Sequence, residues 1–144
     1  MSTQIFVNLA VENLDKSKEF FTRLGFRFEP KFTSETGACM VISEAIFVML
    51  LTKPFFKTFI PTEICDARKS TEALICLSCK TRQDVDSMVK AAVDAGGNTY
   101  NDSKDHGFMY QHGFQDLDGH IWELVHMQDA PELNPVEAAS GHIH

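Results

Sequence analysis

A β-hairpin is predicted by the run Phe114-Gln-Asp-Leu-Asp-Gly-His-Ile-Trp-Glu-Leu124. Its centre, Asp116-Leu-Asp-Gly119, separates two segments of strand-like composition, residues 108–115 and 120–127. An Asp-Gly pair between two such segments is a strong signal for a tight turn, because glycine accepts the backbone angles that the turn requires. We therefore expect the last two strands of the chain to be antiparallel neighbours.

The segments before this hairpin form two series with the same order of predicted elements. In the first series a strand precedes a helix that Asn13 or Asp15 caps and that ends at Gly25. In the second series a strand precedes a helix that Thr81 caps and that ends at Gly96. Three short strands follow each helix, at residues 26–29, 38–42 and 46–51 and at residues 98–101, 108–115 and 120–127. The repeat predicts an α+β fold of two βαβββ modules.

The predicted organisation is a single domain over residues 1–128, followed by a flexible tail over residues 129–144 that loses all periodicity. The connection between the modules holds a group of phenylalanines, which we interpret as a core or dimer contact rather than as a lid over a ligand. These are Phe55, Phe56 and Phe59. The predicted ranges are about 4–52 for module one, 53–72 for the connection and about 73–128 for module two.

Charge and composition exclude several classes of partner. The net charge of −7 repels phosphate backbones and anionic membrane surfaces, so we expect no nucleic-acid or membrane partner. No apolar run approaches the roughly 20 residues of a membrane-spanning helix, and the first residues do not resemble an export signal, so we expect a cytoplasmic protein. Cys76 and Cys79 lie three positions apart on a predicted strand and therefore on opposite faces, which argues against a zinc or redox pair.

Two motifs carry a resemblance to a known family. The run Val7-Asn-Leu-Ala-Val-Glu-Asn-Leu-Asp-Lys-Ser-Lys-Glu-Phe-Phe21 with Leu24-Gly25-Phe26 resembles the first module of vicinal-oxygen-chelate proteins. This superfamily contains glyoxalases, extradiol dioxygenases and bleomycin-resistance proteins. The run from Phe114 to Leu124 resembles their last hairpin, with Leu117 in place of the usual proline. The resemblance covers about residues 4–128 and implies that the sheet of each module curls into a half-barrel. It also implies a mostly apolar cup for a small molecule in each module, in a protein that forms homodimers.

The resemblance also implies four positions for metal ligands. They are Phe6, Leu50, Leu74 and Glu123, and only Glu123 has a side chain that can bind a metal. A shift of the alignment by one residue, to Ile5, Val7, Leu51, Ala73 or Ile75, supplies no ligand either. We therefore expect the family's usual Zn²⁺, Ni²⁺, Mn²⁺ or Fe²⁺ centre to be absent.

Glu123 is the candidate for a binding or catalytic role in the cup. If the numbers of opposed residues in the last hairpin sum to about 235, His112 lies opposite Glu123 and the two could share a metal; a register one step away places Gly113 there. We expect burial to raise the pKa of Glu123, which suits a general base. Tyr110 and His112 share one side of their strand and are candidate ligand-binding residues, together with Phe6, Leu50 and Leu74. We expect His120, in the turn, to be exposed to solvent.

Three functions remain open at this level. The first is a binding protein of the bleomycin-resistance type that holds a small organic molecule in an apolar cup without the full metal site. The second is a metal-assisted lyase, isomerase or dioxygenase of the same superfamily, in which Glu123 acts as base or as a metal ligand. The third is a protein-interaction domain whose cups are filled by its own side chains.

Overall fold

The computed structural model describes residues 3–128, so the predicted tail lies outside the described residues. The first module consists of β1 (Ile5–Val11), α1 (Leu14–Arg23), β2 (Arg27–Glu29), β3 (Gly37–Val41) and β4 (Ile46–Thr52), with a 3-10 turn at Pro30–Phe32. The short helix α2 (Lys53–Lys57) begins the connection. The second module consists of β5 (Leu74–Ser78), α3 (Arg82–Asp94), β6 (Lys104–Asp105), β7 (Met109–Gln115) and β8 (Ile121–Met127).

Each module forms one mixed sheet of four strands. The strand orders are β1-β4-β3-β2 and β5-β8-β7-β6, with β1 parallel to β4 and β5 parallel to β8. Within residues 3–128 neither sheet closes on itself, because each ends in two edge strands. The predicted α+β fold of two βαβββ modules is confirmed.

Local signals set the ends of both long helices. The side chain of Asn13 accepts a hydrogen bond from the backbone N–H of Lys16, and that of Thr81 accepts one from Asp84, each at 3.0 Å. These bonds satisfy N–H groups that the first helical turn leaves free. Gly25 and Gly96 follow the helices at φ 105° and 107°, in the left-handed region where glycine carries no steric penalty.

One prediction about the strands is wrong. Residues 98–101 do not form a strand, although Asn98 makes an isolated bridge with Gln115. The second strand of the second module is instead the two-residue β6, which pairs with Gln111 and Tyr110 of β7. Residues 99–101 continue along β7 through side-chain hydrogen bonds instead of a backbone ladder, and Thr99 and Tyr100 contact side chains of β7 and β8.

Both modules contribute to one hydrophobic core. Phe20 and Phe21 of α1 lie against Phe114 of β7 and Trp122 of β8, with ring centroids 6.2 and 5.2 Å apart. The core therefore joins the first helix to the second sheet, and large side chains from both halves are fully buried there. Each sheet keeps a second face that points away from this core, which we call its far face. Among residues 3–128, no helix is both long and apolar enough to cross a membrane.

Candidate functional site

The far face of the first sheet carries apolar side chains. Phe6 is 47% exposed and its ring stacks on that of Phe47 at a centroid distance of 4.8 Å. The parallel register pairs Asn8 with Met49, so Met49 shares the far face with Phe6. Leu50 points the other way and is fully buried in the core. The far-face residue of β4 at this level is therefore Met49 and not Leu50.

Glu123 lies on the far face of the second sheet. The phenol of Tyr100 donates a hydrogen bond to its carboxylate, and Gly113 opposite Glu123 leaves the space that this contact occupies. A Cβ at position 113 would collide with both side chains. Burial raises the pKa of Glu123, as expected from the sequence. Burial and the neighbouring charge of Glu123 raise the pKa of the Cys76 thiol, which pairs with it in the register.

His112 and Tyr110 lie on the opposite side of the second sheet from Glu123. The register pairs Gly113 with Glu123 and His112 with Leu124, so the arrangement that would oppose His112 to Glu123 is wrong. The Nε2 atom of His112 lies 3.1 Å from the hydroxyl of Thr99. The hydroxyl of Tyr110 donates to Asp86 of α3 at 2.5 Å, and the guanidinium of Arg82 lies 5.2 Å from the centre of its ring. Leu74, by contrast, is 62% exposed on the far face.

The hairpin turn contains a group of polar side chains inside the protein. The carboxylate of Asp116, which is 4% exposed, accepts hydrogen bonds from the backbone N–H groups of Asp118 and His120, both at 3.0 Å. It also accepts from Nε1 of Trp122 at 3.1 Å and from Nδ1 of His120 at 2.8 Å. Asp118 in turn accepts from the backbone N–H of Glu12 at 2.9 Å, which ties the turn to the end of β1.

The side chain of His120 is only 15% exposed, so the expectation that it faces solvent is wrong. Burial by itself would lower the pKa of His120, but the hydrogen bond and charge of Asp116 and the charge of Asp118 outweigh it, and the pKa is raised. The loop at Asp66–Arg68 covers the turn, where Arg68 donates to the backbone oxygen of Leu117 at 2.6 Å. A Cβ at Gly119 would collide with this loop.

A cavity of about 350 Å³ lies between β1, the connection and the beginnings of β5 and β8. This volume falls in the range typical of small-molecule sites, roughly 300–1,000 Å³. Its wall is mainly apolar, and the polar side chains in it include Glu63, Thr71 and His120. The apolar residues of the wall include Val7, Leu9, Phe56, Ile60, Ile64 and Ile75.

The phenylalanines of the connection have separate positions. Phe56 lines the cavity, whereas Phe59 is 66% exposed. Phe55 and Phe59 contact each other edge to face, with ring centroids 5.1 Å apart. None of the three belongs to the shared core, so the interpretation of this group as a core contact is wrong. Phe56 forms part of the cavity wall instead.

Comparisons with known proteins agree with this geometry. A sequence model described as Bleomycin resistance protein-like N-terminal matches residues 3–43. A hypothetical protein from S. aureus is 26% identical, with a TM-score of 0.73 over 87% of this chain and 94% of that one. A glyoxalase/bleomycin resistance protein/dioxygenase family enzyme from Burkholderia phytofirmans PsJN is 14% identical, with a TM-score of 0.72 over 88% and 99%. This chain has the vicinal-oxygen-chelate fold. The resemblance predicted from the two motifs is confirmed.

Another similar structure belongs to an antibiotic-resistance protein. The genomically encoded fosfomycin resistance protein of Listeria monocytogenes is 15% identical, with a TM-score of 0.62 over 93% of this chain and 96% of that one. At this identity the likeness concerns the fold alone. No curated protein sequence matches the chain.

The metal centre of vicinal-oxygen-chelate proteins does not fit the residues of this chain. Phe6 and Leu74 have no lone pair to donate, and Met49 of the far face offers only a soft thioether. Glu123 is the one hard ligand among these positions, and Tyr100 already contacts it. His112 lies on the other side of the sheet and cannot join Glu123 at one ion.

Within residues 3–128, one cluster has the spacing of a metal site, and it lies in the hairpin turn. Single ligand atoms of Asp116, Asp118 and His120 lie there within 4.8 Å of one another. Its carboxylates already accept hydrogen bonds from neighbouring N–H groups. These hydrogen bonds stabilise the turn, and they explain why the three side chains lie close together.

The sequence interpretation missed His120 and the cavity beside it. A signal for His120 was present, because the residue follows an Asp-Leu-Asp-Gly turn and precedes a tryptophan whose indole N–H needs an acceptor inside the protein. A buried acceptor shared by both rings could have been inferred from that spacing. No such signal marks the cavity, since its outer wall comes from a connection without periodicity.

Proposed function

We propose that the protein binds a small, mostly apolar organic molecule in the cavity beneath the connection, as a glyoxalase/bleomycin-resistance-like protein that lacks the family's metal centre. The observation that carries the proposal is the cavity of about 350 Å³ with apolar walls and few polar groups. Apolar walls provide affinity, and a small number of polar groups fixes the orientation of a ligand.

The position of the cavity supports the same proposal. Its inner wall is formed by β1 and by the first residues of β5 and β8, which are rigid parts of the two sheets. Its outer wall is the connection, which is held to the hairpin turn by Arg68. The ligand would therefore lie between the two sheets and a connection that is tied to the hairpin turn.

Binding can be tested with N-phenyl-naphthylamine, a neutral probe whose fluorescence rises in apolar surroundings. At about 0.3 kcal/mol per non-hydrogen atom, a probe of this size gains roughly 5 kcal/mol, which corresponds to a Kd on the order of 0.2 mM. We expect saturable binding with one probe per chain.

Ala73→Phe places a larger side chain in the wall of the cavity and should weaken probe binding about tenfold. Ala45→Phe is the matched control, because Ala45 lies in the turn before β4 and outside the cavity wall. Thermal unfolding verifies that both variants fold. Equal probe binding by the wild type and by a folded Ala73→Phe variant would refute the proposed site.

We also propose that the chain forms a homodimer through its exposed apolar side chains at the free edges of the sheets. Ile5, Phe6 and Leu74 lie in the edge strands β1 and β5 and are 54%, 47% and 62% exposed. Burial of these groups in a two-fold interface would remove apolar surface from water. Sedimentation equilibrium tests this directly, and a monomer at all concentrations up to the solubility limit contradicts it.

A further inference from the structure

The imidazole of His120 has one nitrogen inside the protein network and one beside the cavity. Nδ1 contacts both carboxylate oxygens of Asp116, at 2.8 and 3.1 Å. Nε2 makes no hydrogen bond within residues 3–128, and no side-chain nitrogen or oxygen in that part of the chain is both buried and without a partner. Nε2 therefore reaches accessible space. His120 lines the cavity of about 350 Å³ and also a pocket of about 10 Å³ beside Lys53 and Arg68, and only the first has room for an organic molecule.

Asp116 determines which nitrogen carries the proton. A carboxylate that accepts a hydrogen bond from Nδ1 requires the proton of the neutral ring to be on Nδ1, so Nε2 keeps a free lone pair. The carboxylate cannot turn away, because Trp122 and the backbone N–H of Asp118 bind it from other directions. Asp116 is thus a positioning residue, and it also stabilises the imidazolium that forms when Nε2 takes a proton.

The charges around the ring are mixed in sign. Asp116 and Asp118 of the turn favour the protonated ring, while the positive charge of Arg68 disfavours it. Other charged and titratable groups border the turn or the cavity from the remaining elements: Glu12, Lys53, Glu63, Cys65, Asp66 and Glu72. The pKa of His120 is raised in this setting, so the ring takes up a proton more readily than an imidazole in water does.

We propose that His120 is the acid–base residue of this cavity and that the ligand is an apolar molecule with one weakly acidic hydroxyl, a phenol or an enol, bound as its anion. The inference rests on the proposed function, because it assumes that the ligand occupies the cavity. On binding, the O–H bond of the ligand breaks and an N–H bond forms at Nε2. The electron pair of the broken bond stays on the ligand oxygen, which remains beside the imidazolium as a phenolate or enolate.

The acidic wall favours a weak acid over a carboxylate. Glu63 and Glu72 line the cavity, and the chain carries a net charge of −7. A molecule that is already anionic in water is repelled by these groups. A phenol or enol brings its own proton, so the phenolate and the imidazolium of His120 form together and the net charge of the site does not change.

The test uses para-nitrophenol, which absorbs visible light as the phenolate but not as the phenol, and nitrobenzene, which has the same ring and nitro group without the hydroxyl. Both are titrated against the full-length protein by displacement of N-phenyl-naphthylamine. We expect para-nitrophenol to bind about tenfold more tightly than nitrobenzene. We also expect the bound phenol to ionise about one pH unit below its midpoint in buffer, since a cationic partner favours the anion.

His120→Asn provides the specific control. The amide nitrogen of asparagine occupies the place of Nδ1 and can donate to Asp116, but nothing replaces Nε2. The variant should bind nitrobenzene as the wild type does and lose both the preference for para-nitrophenol and its early ionisation. The absorbance measurement on the wild type needs no variant, so the proposal can be refuted even if His120→Asn does not fold.

The outcomes separate this inference from the proposed function. If both compounds displace the probe equally and the bound phenol ionises at its midpoint in buffer, the cavity binds ligands but the role of His120 is refuted. The role of His120 is also refuted if a folded His120→Asn variant keeps the early ionisation. If the probe itself does not bind, or Ala73→Phe does not affect it, the proposed function has failed and the role of His120 fails with it.

Discussion

Replacing Asp116 by asparagine exchanges one carboxylate oxygen for an NH₂ group in the centre of the hairpin turn. The remaining oxygen can keep the backbone N–H groups of Asp118 and His120. The new NH₂ group faces Nε1–H of Trp122, which lies 3.1 Å from the carboxylate and can only donate. A hydrogen bond to a charged group is worth about 1.5–3 kcal/mol, and a buried donor without an acceptor adds its desolvation penalty. We therefore expect the variant to lose roughly 2–4 kcal/mol of unfolding free energy.

The loss should depend on pH through His120. The pKa of His120 is raised in the folded protein, where burial is outweighed by Asp116 and Asp118. A raised pKa contributes stability that is fully present below the unfolded value of about 6.5 and is lost as the pH rises through the folded value. Asparagine removes the charge that causes most of this rise. The difference between wild type and variant should therefore be larger at about pH 5 than at about pH 8.

Asp118 acts in the same direction. Its pKa is raised by burial first, and the charge of Asp116 adds to the rise. At higher pH the wild type contains two neighbouring carboxylates, and the variant avoids their repulsion. The destabilisation caused by Asp116→Asn is thus offset more at high pH than at low pH.

Urea unfolding followed by the fluorescence of Trp122 measures both effects, because this is the only tryptophan in the chain. Asp102→Asn, an exposed loop position, is the matched control and should change the unfolding free energy by less than about 0.5 kcal/mol at either pH. An Asp116→Asn variant as stable as the wild type, or one that loses more stability at about pH 8 than at about pH 5, would refute the account of the turn.

The other predictions concern the far faces, the core and metals. Gly113→Ala should lower the free energy of unfolding in urea by about 1–3 kcal/mol, because its Cβ collides with Tyr100 and Glu123. Adding Tyr100→Phe should relieve little of this loss, since the ring remains. An unchanged stability of Gly113→Ala would contradict the close approach. Leu50→Ala should lower the free energy of unfolding by about 2–5 kcal/mol, because Leu50 is fully buried. Leu74→Ala should lower it by less than about 1 kcal/mol, because Leu74 is 62% exposed. Equal losses in the same assay would contradict the assigned faces. Dialysis of purified, tag-free protein against a chelator should leave the Tm unchanged, and a lowered Tm restored by one equivalent of Zn²⁺ or Ni²⁺ would show that a metal site exists.

The fold could be predicted because its determinants are local. Asn13, Thr81, Gly25 and Gly96 mark helix ends within a few residues of themselves, and the structure places all four at those ends. The duplicated order of elements then follows from hydrophobic periodicity. The prediction of a strand at residues 98–101 is wrong, since residues 99–101 contact β7 through side-chain hydrogen bonds instead of backbone pairing beyond Asn98.

The face of each candidate residue could not be predicted with the same success. The turn occupies five residues, from Asp116 to His120, because the N–H of Asp116 donates to the oxygen of His120 and Gln115 pairs with Ile121. A turn one residue shorter or longer shifts the register by one step and moves every side chain of β7 to the other face. The register that would oppose His112 to Glu123 requires a turn one residue shorter than the observed turn. Met49 was not predicted as a far-face residue for the same reason, because the sequence of β4 does not indicate its register with β1.

The hairpin turn connects the stability of the fold with the chemistry proposed for the cavity. If His120 served the turn alone, its Nδ1–H would be sufficient, and the second nitrogen would be expected against a protein partner or sealed from solvent. Instead, Asp116, whose carboxylate is itself bound by Trp122, holds the ring from one side, while Nε2 has no hydrogen-bond partner among residues 3–128 and lies beside an apolar cavity. A polar atom held rigidly at an apolar wall has its position fixed before a ligand arrives, so little ordering is required on binding. The same bonds that close the last hairpin therefore leave one nitrogen oriented toward whatever the cavity admits.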